Sequence, residues 1–315
     1  MKGFTNYLQE APNEGICWWL RQSNSNPLRE LVYLCYERFE TVRYDYKAIE
    51  TEKIKTAYEE YRIKWARGAP NLTKDIWMAA VNIGEHFKVS IDANRGQSWM
   101  NSVKLSLKPL LACPSRASWT WYDGEAYRGT TLGMDDFKTM KFKNVSFTGS
   151  TNYLIGDITY TSRYEGQSWS TTFRIAETFG KTSVNYVRER TNKSRVMAIM
   201  EAQLTKQETL FDGKASSDIL NAVMGIIDDE EEVLRLSNKP IRCKVYVPVR
   251  GFVAMMQNAP GGYGEDPEWS NSDERTTVWD WKKEDKAIFL RHFRKFFTSV
   301  DATEKAFKAL VSIVS

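Results

Sequence analysis

Apolar residues recur at helical spacing through the first part of the chain. After Asn26-Pro27, which offers a cap and a proline at the first helical position, Leu31, Leu34, Cys35, Phe39, Val42, Tyr46, Ile49, Ile54, Tyr58, Tyr61 and Trp65 follow at mostly three- to five-residue steps. This spacing predicts one amphipathic helix or two in tandem, stopped by Gly68-Ala69-Pro70. Ile76, Trp77, Ala80, Val81 and Phe87 predict a second helical stretch over about 73–88.

From about Ser118 to Gln203 the period shifts toward 2 and glycine punctuates the chain, which predicts antiparallel strands. Trp119 to Tyr122 reads as a strand before an Asp123-Gly124 turn, and Leu154, Ile158 and Tyr160 alternate with Ile155, Asp157 and Thr159. Met140 and Phe142 share a parity that Val145 and Phe147 do not, so one extra residue near Lys143 or Asn144, a bulge, is expected. Trp169, Thr171, Phe173 and Ile175 predict a further strand, Val184 and Tyr186 a short one, and the segment from Val196 to Gln203 another. Residues 181–195 thus read as the strands and tip of a hairpin.

Helical spacing returns with Ile219, Leu220, Val223, Met224, Ile226 and Ile227, followed by the acidic run Asp228 to Glu232 and ending before Asn238-Lys239-Pro240. Ile241, Cys243, Val245 and Val247 alternate with Arg242, Lys244 and Tyr246, a half-buried strand ending at Pro248 with Arg242 and Lys244 on its exposed side. Pro260-Gly261-Gly262, Asp266-Pro267 and Ser270 to Asp273 mark residues 257–276 as a long loop. Ile288 to Phe297 and then Ala306 to Val314 predict two terminal helices.

The fold class expected is therefore α+β: a central antiparallel β-rich region, whether meander, sandwich or partial barrel, flanked by N- and C-terminal helices. The expected zones are 1–115, helical; 116–212, β-rich; and 213–315, helical with one strand and the long loop.

With 315 residues, 42% of them hydrophobic and 27% charged, the chain can build a sizeable core in one large domain or two ordinary ones. No apolar segment approaches the roughly 20 residues of a spanning helix, and Met1 to Asn13 hold no secretory core. The expectation is a cytoplasmic or virion protein without a membrane span. Cys17, Cys35, Cys113 and Cys243 include no CxxC pair, which points to reduced thiols rather than a zinc knuckle or disulfide framework.

Motifs for several reaction classes are missing. No Walker A loop, complete dinucleotide fingerprint, GxSxG elbow or HExxH helix occurs, and the only histidines are His86 and His292. No cofactor is expected. Carboxylates leave one enzymatic alternative, a metal-dependent nuclease with Asp157 and Glu201 on strands of one sheet and Lys206 close behind.

Charge distribution is more informative. The net charge is only +4, and Lys181, Arg188, Arg190, Lys193 and Arg195 against Glu189 concentrate as much within fifteen residues. With Tyr186 among these cations, and with Arg242 and Lys244 exposed on their strand, phosphate contact and base stacking become available. These eight residues are the expected nucleic-acid contacts. Trp18-Trp19, Trp119, Trp121-Tyr122 and Trp279/Trp281 supply aromatic anchors, with contact to the chain's own domain the default for Trp279 and Trp281.

In general character, α-rich ends around a β-rich centre, local basic patches and surplus tryptophan resemble a viral nucleocapsid or coat subunit. That resemblance implies a non-enzymatic protein that binds nucleic acid, RNA first, and self-assembles as a homo-oligomer. A scaffold or adaptor without nucleic-acid affinity is the third reading.

Overall fold

The computed structural model describes residues 108–113, 116, 118, 121–148, 151–191, 195–210, 212, 231–258, 281 and 283–312. The strands are β1 (Gly124–Gly133), β2 (Phe142–Thr148), β3 (Thr151–Tyr160), β4 (Gly166–Ser170), β5 (Arg195–Leu204), β6 (Thr209–Leu210), β7 (Glu232–Leu236) and β8 (Ile241–Pro248). The helices are α1 (Phe173–Thr191), α2 (Val249–Asn258), α3 (Lys286–Phe293) and α4 (Val300–Val311). The class is α+β, with antiparallel pairing and C-terminal helices. The helices expected over 27–88 and 216–227, and the loop core 259–276, lie outside the described residues. None of the described helices is long and apolar enough to cross a membrane.

The chain divides into two compact units, one comprising 1–125, 162–171 and 203–239, the other 126–161, 172–202 and 240–315. In the first unit β4, β7 and β6 are antiparallel neighbours in that order. Arg235 of β7, 1% exposed, is held there by Glu208 at 2.9 Å, by the carbonyl oxygens of Ser237 and Lys239 at 3.2 and 2.9 Å, and by Gln167 Oε1 at 3.4 Å. A buried guanidinium is tolerated only when its donors are matched in this way. Buried Thr209 knots the same unit, donating to the Tyr122 carbonyl at 2.6 Å and accepting from the Tyr122 N–H at 3.1 Å.

In the second unit the strands run β2-β3-β8-β5-β1, with β2/β3, β3/β8 and β8/β5 antiparallel. The expected bulge is present, as the β2/β3 register shifts between Phe142 and Asn144. A large aromatic core surrounds Phe252 of α2, whose ring lies 5.1 Å from both Phe137 and Phe142, 5.4 Å from Phe296 and 5.9 Å from Phe293. Trp281 packs against Phe289, Phe293 and Phe307 and is 2% exposed, so it does contact its own unit; Trp279 lies outside the described residues. α4 begins where Ser299 accepts a hydrogen bond from the Ala302 N–H at 3.0 Å, and it buries Ala302, Ala306, Phe307, Ala309 and Leu310 along one stripe.

Several expectations are corrected. The segment expected to be a hairpin is α1, and β4 ends at Ser170 instead of continuing to Ile175. Phe173, Ala176, Gly180 and Val184 satisfy a helical stripe, and they cover Tyr153, Ile155, Met197, Ile199 and Tyr246 on the sheet. Threonine at mid-helix is accommodated because Thr178 and Thr182 donate to the carbonyl oxygens of Arg174 and Thr178. Gly124 opens β1 rather than ending a turn, and Glu232 to Leu236, expected to close a helix, is a second C-terminal strand paired with β4. The 213–315 zone therefore contributes two strands, not one. Cys113 is disulfide-bonded, against the reduced state expected for it; Cys243 is a buried thiol outside any disulfide.

α1 approaches β1 so closely that a Cβ on Gly129 would lie 1.9 Å from the Ala176 carbonyl oxygen and 2.4 Å from the Gly180 nitrogen. A Cβ on Gly180 would meet Met197 Cγ at 2.7 Å. The first clash is with backbone, whereas the second is with a side chain that can rotate. Gly129→Ala is expected to destabilise by about 2–3 kcal/mol. Gly180→Ala is expected to stay within about 1 kcal/mol of the parent, since the gain in helix propensity nearly offsets the cost of moving Met197. Urea midpoints of both variants check this, and equal midpoints would contradict the packing argument.

Candidate nucleic-acid interface

The face of the sheet that α1 covers does not end with the helix. The β3/β8 register sets Tyr153 opposite Pro248, Ile155 opposite Tyr246, Asp157 opposite Lys244 and Thr159 opposite Arg242. Directly opposed residues share a face, so a single surface changes along these strands from aromatic and covered to charged and exposed. At the charged end lies an open groove of about 670 Å³. Its exposed lining is Thr139, Asp157, Thr159, Arg242 and Lys244, while Met140 and Cys243, which adjoin it, are buried, and Ile158 and Cys243 alternate onto the other face of the sheet.

The charges form a ladder across four strands. Lys143 of β2 pairs with Asp157 of β3, Asp157 lies opposite Lys244 of β8, and Lys244 pairs with both oxygens of Glu201 of β5 at 3.2 Å. Tyr246 donates its hydroxyl to the same Glu201 carboxylate, and the Lys244 ammonium lies 5.0 Å from the Tyr246 ring centroid. The Tyr246 hydroxyl, and then Glu201, outweigh partial burial and hold Lys244 above the ordinary lysine value. Burial first, and then Glu201, push the Tyr246 phenol up.

The two lysines and two carboxylates of the ladder cancel, which leaves Arg242 as the uncompensated charge of the groove. Arg242 is exposed and has no hydrogen-bond or ion-pair partner among the described residues. Thr159, which faces it, and Thr139 add two hydroxyls to the lining.

The other expected contacts are not gathered here. Lys181 is on α1, paired with Glu177 at 2.8 Å; Glu177 in turn accepts from the Tyr153 hydroxyl at 2.8 Å. Burial raises the Glu177 carboxyl, but Lys181 and Tyr153 together bring it below its usual value. Arg195 opens β5 and is bound to Thr131, through Oγ1 at 2.8 Å and the carbonyl oxygen at 2.7 Å. It precedes Glu201, the partner of Lys244, by six residues, or about 20 Å of strand. Tyr186, Arg188 and Arg190 fall in the last turns of α1 instead of on strands, and Lys193 lies outside the described residues. Proximity in sequence joins cations that the fold separates, while Lys143, Thr139 and Thr159 carry no signal in sequence because only strand pairing and the fold bring them to β8.

The carboxylates of the nuclease alternative are both engaged, Asp157 by Lys143 and Glu201 by Lys244 and Tyr246. Lys206 lies with its ammonium over the Trp121 ring, 5.8 Å from the centroid. Among the described residues no three His, Cys, Asp or Glu side chains are grouped to hold a metal ion. Comparison with protein-family models, curated proteins and solved structures finds no significant match.

Lys244 and Tyr246 both have folded values raised above their unfolded ones, so each contributes stability that is present below about pH 10 and is lost as pH rises through the folded value. Glu201→Gln removes the shared carboxylate. It is expected to cost about 1 kcal/mol or less at pH 7, because the pair is partly exposed, and to flatten the decline in stability above about pH 10. Urea unfolding at neutral and alkaline pH checks this; an unchanged alkaline slope would show that Glu201 does not set those values.

Proposed function

We propose that this chain is a non-enzymatic nucleic-acid-binding structural protein of nucleocapsid or coat type, self-assembling, with RNA as its polymer. The observation that carries the reading is Arg242, an exposed guanidinium with no partner among the described residues, in an open groove whose lining includes Thr139, Thr159 and Lys244. Guanidinium, ammonium and hydroxyl donors are the groups that bind phosphate oxygens. The engagement of Asp157 and Glu201 by lysines favours this over metal-dependent cleavage, because a carboxylate shared with an ammonium is a poorer cation ligand. Arg188, Arg190 and Lys193 remain proposed contacts, now carried by α1 and the segment after it rather than by a hairpin.

The full chain purified without nuclease, run on size exclusion with light scattering and 260/280 nm absorbance at low and high salt, tests cargo and assembly together. A large species whose nucleic acid is stripped by salt is expected, and a nucleic-acid-free monomer would overturn the proposal. Arg242→Ala with Lys244→Ala is expected to weaken binding for all sequences and to reduce the salt slope on a single strand by about 0.7 for each phosphate no longer neutralised. Asp157→Asn separates the enzymatic alternative, in which it would abolish Mg²⁺-dependent cleavage; here no cleavage is expected from either protein.

A further inference from the structure

We infer that the groove at the Arg242 end of β3 and β8 takes an unpaired strand and discriminates against a duplex. The inference rests on the proposed phosphate contact and adds to it the class of polymer.

Charge arrangement is the first argument. A duplex presents closely spaced phosphates, about one charge per 1.7 Å of axis, and its binding depends on summing many cation contacts. The ladder offers Lys143, Asp157, Lys244 and Glu201 in alternating sign. A duplex edge seated on Arg242 would bring further phosphates toward Asp157 and Glu201 with one uncompensated cation to offset them. An unpaired strand can seat a phosphate on Arg242 and turn sugar hydroxyls or exocyclic amines, which are donors, toward the carboxylates.

The second argument is the lining. The residues it exposes, Thr139, Asp157, Thr159, Arg242 and Lys244, are all polar. Donors and acceptors beside a phosphate-binding cation match the edge of a base, and in a duplex those edges are largely taken up by pairing. A recess of about 670 Å³ also falls in the size range of small-ligand cavities. Entry of a base into it requires that the base be unpaired.

Fluorescence anisotropy with the full-length protein tests this, using a short labelled RNA as a single strand and the same RNA annealed to its complement. The expected result is single-strand binding about tenfold tighter than duplex binding, reduced about five- to tenfold by Arg242→Ala and by Thr159→Val. Both substitutions are at exposed positions, and unchanged urea midpoints would confirm intact folding. Equal or tighter duplex binding that still depends on Arg242 would overturn the inference while leaving the proposed function standing. Absence of binding to either form would overturn both. Single-strand preference indifferent to Arg242→Ala and Thr159→Val would move the site elsewhere and overturn the assignment to this groove.

Discussion

The contact between α1 and β1 has no room for a side chain, and the arrangement of the second unit follows from it. With Gly129 beneath Ala176 and Gly180, the helix can lie low enough for Phe173, Ala176 and Val184 to reach the sheet. Phe173 then meets Tyr127, Tyr153 and Tyr246 edge-on, at centroid separations of 5.1–5.6 Å. Edge-to-face rings of this kind contribute beyond their buried area. Because the helix covers the stretch marked by Tyr153, Ile155 and Tyr246, the continuation of the same face at Asp157, Thr159, Arg242 and Lys244 is left to water. The candidate groove is a consequence of where the helix stops being useful as a cover.

Glu201 stands at that boundary. Its side chain is 15% exposed, against 42% for Lys244, and it accepts from Tyr246 on the covered side and from Lys244 on the open side. A carboxylate in such a position gives up part of its hydration and is compensated by both partners, whereas a fully exposed pair would be screened. The arrangement orients Lys244 toward the ladder and leaves Arg242, one alternate position along β8, as a cation with no partner among the described residues.

Legibility from sequence follows the source of each element's stability. β3, β5, β8, the β2 bulge, α3 and α4 are specified by local alternation or helical spacing, and each is readable. α1 is not, because Thr178, Thr182, Val184 and Tyr186 favour strands and Gly180 weakens a helix. Its stability comes from packing on Gly129 and the aromatic face, a long-range contact that no window of sequence contains. β7 is hidden for a similar reason, since Val233, Leu234 and Leu236 follow an acidic run that reads as the end of a helix, while pairing with β4 decides the outcome. For the groove, alternation places Arg242 and Lys244 on an exposed side, but Thr159 and Lys143 join them only through strand register and cross-strand pairing.

Counting cations along the chain therefore measures something different from a binding surface. Lys181 pairs with Glu177, Arg195 with Thr131, Lys143 with Asp157, Lys244 with Glu201, and Arg235 is enclosed. Each of these charges already has intramolecular partners, and a ligand's phosphate would have to compete with them. A cation's availability is thus set by the number of acceptors the fold brings within reach, and local density in sequence gives no measure of that number. On this criterion Arg242, which has no partner among the described residues, differs from Lys181 and Arg195 at the ends of the denser 181–195 cluster, both of which are occupied. In the proposed reading an anion would meet one guanidinium with no partner among the described residues and the hydroxyls beside it, and selectivity would come from the neutral ladder more than from total charge.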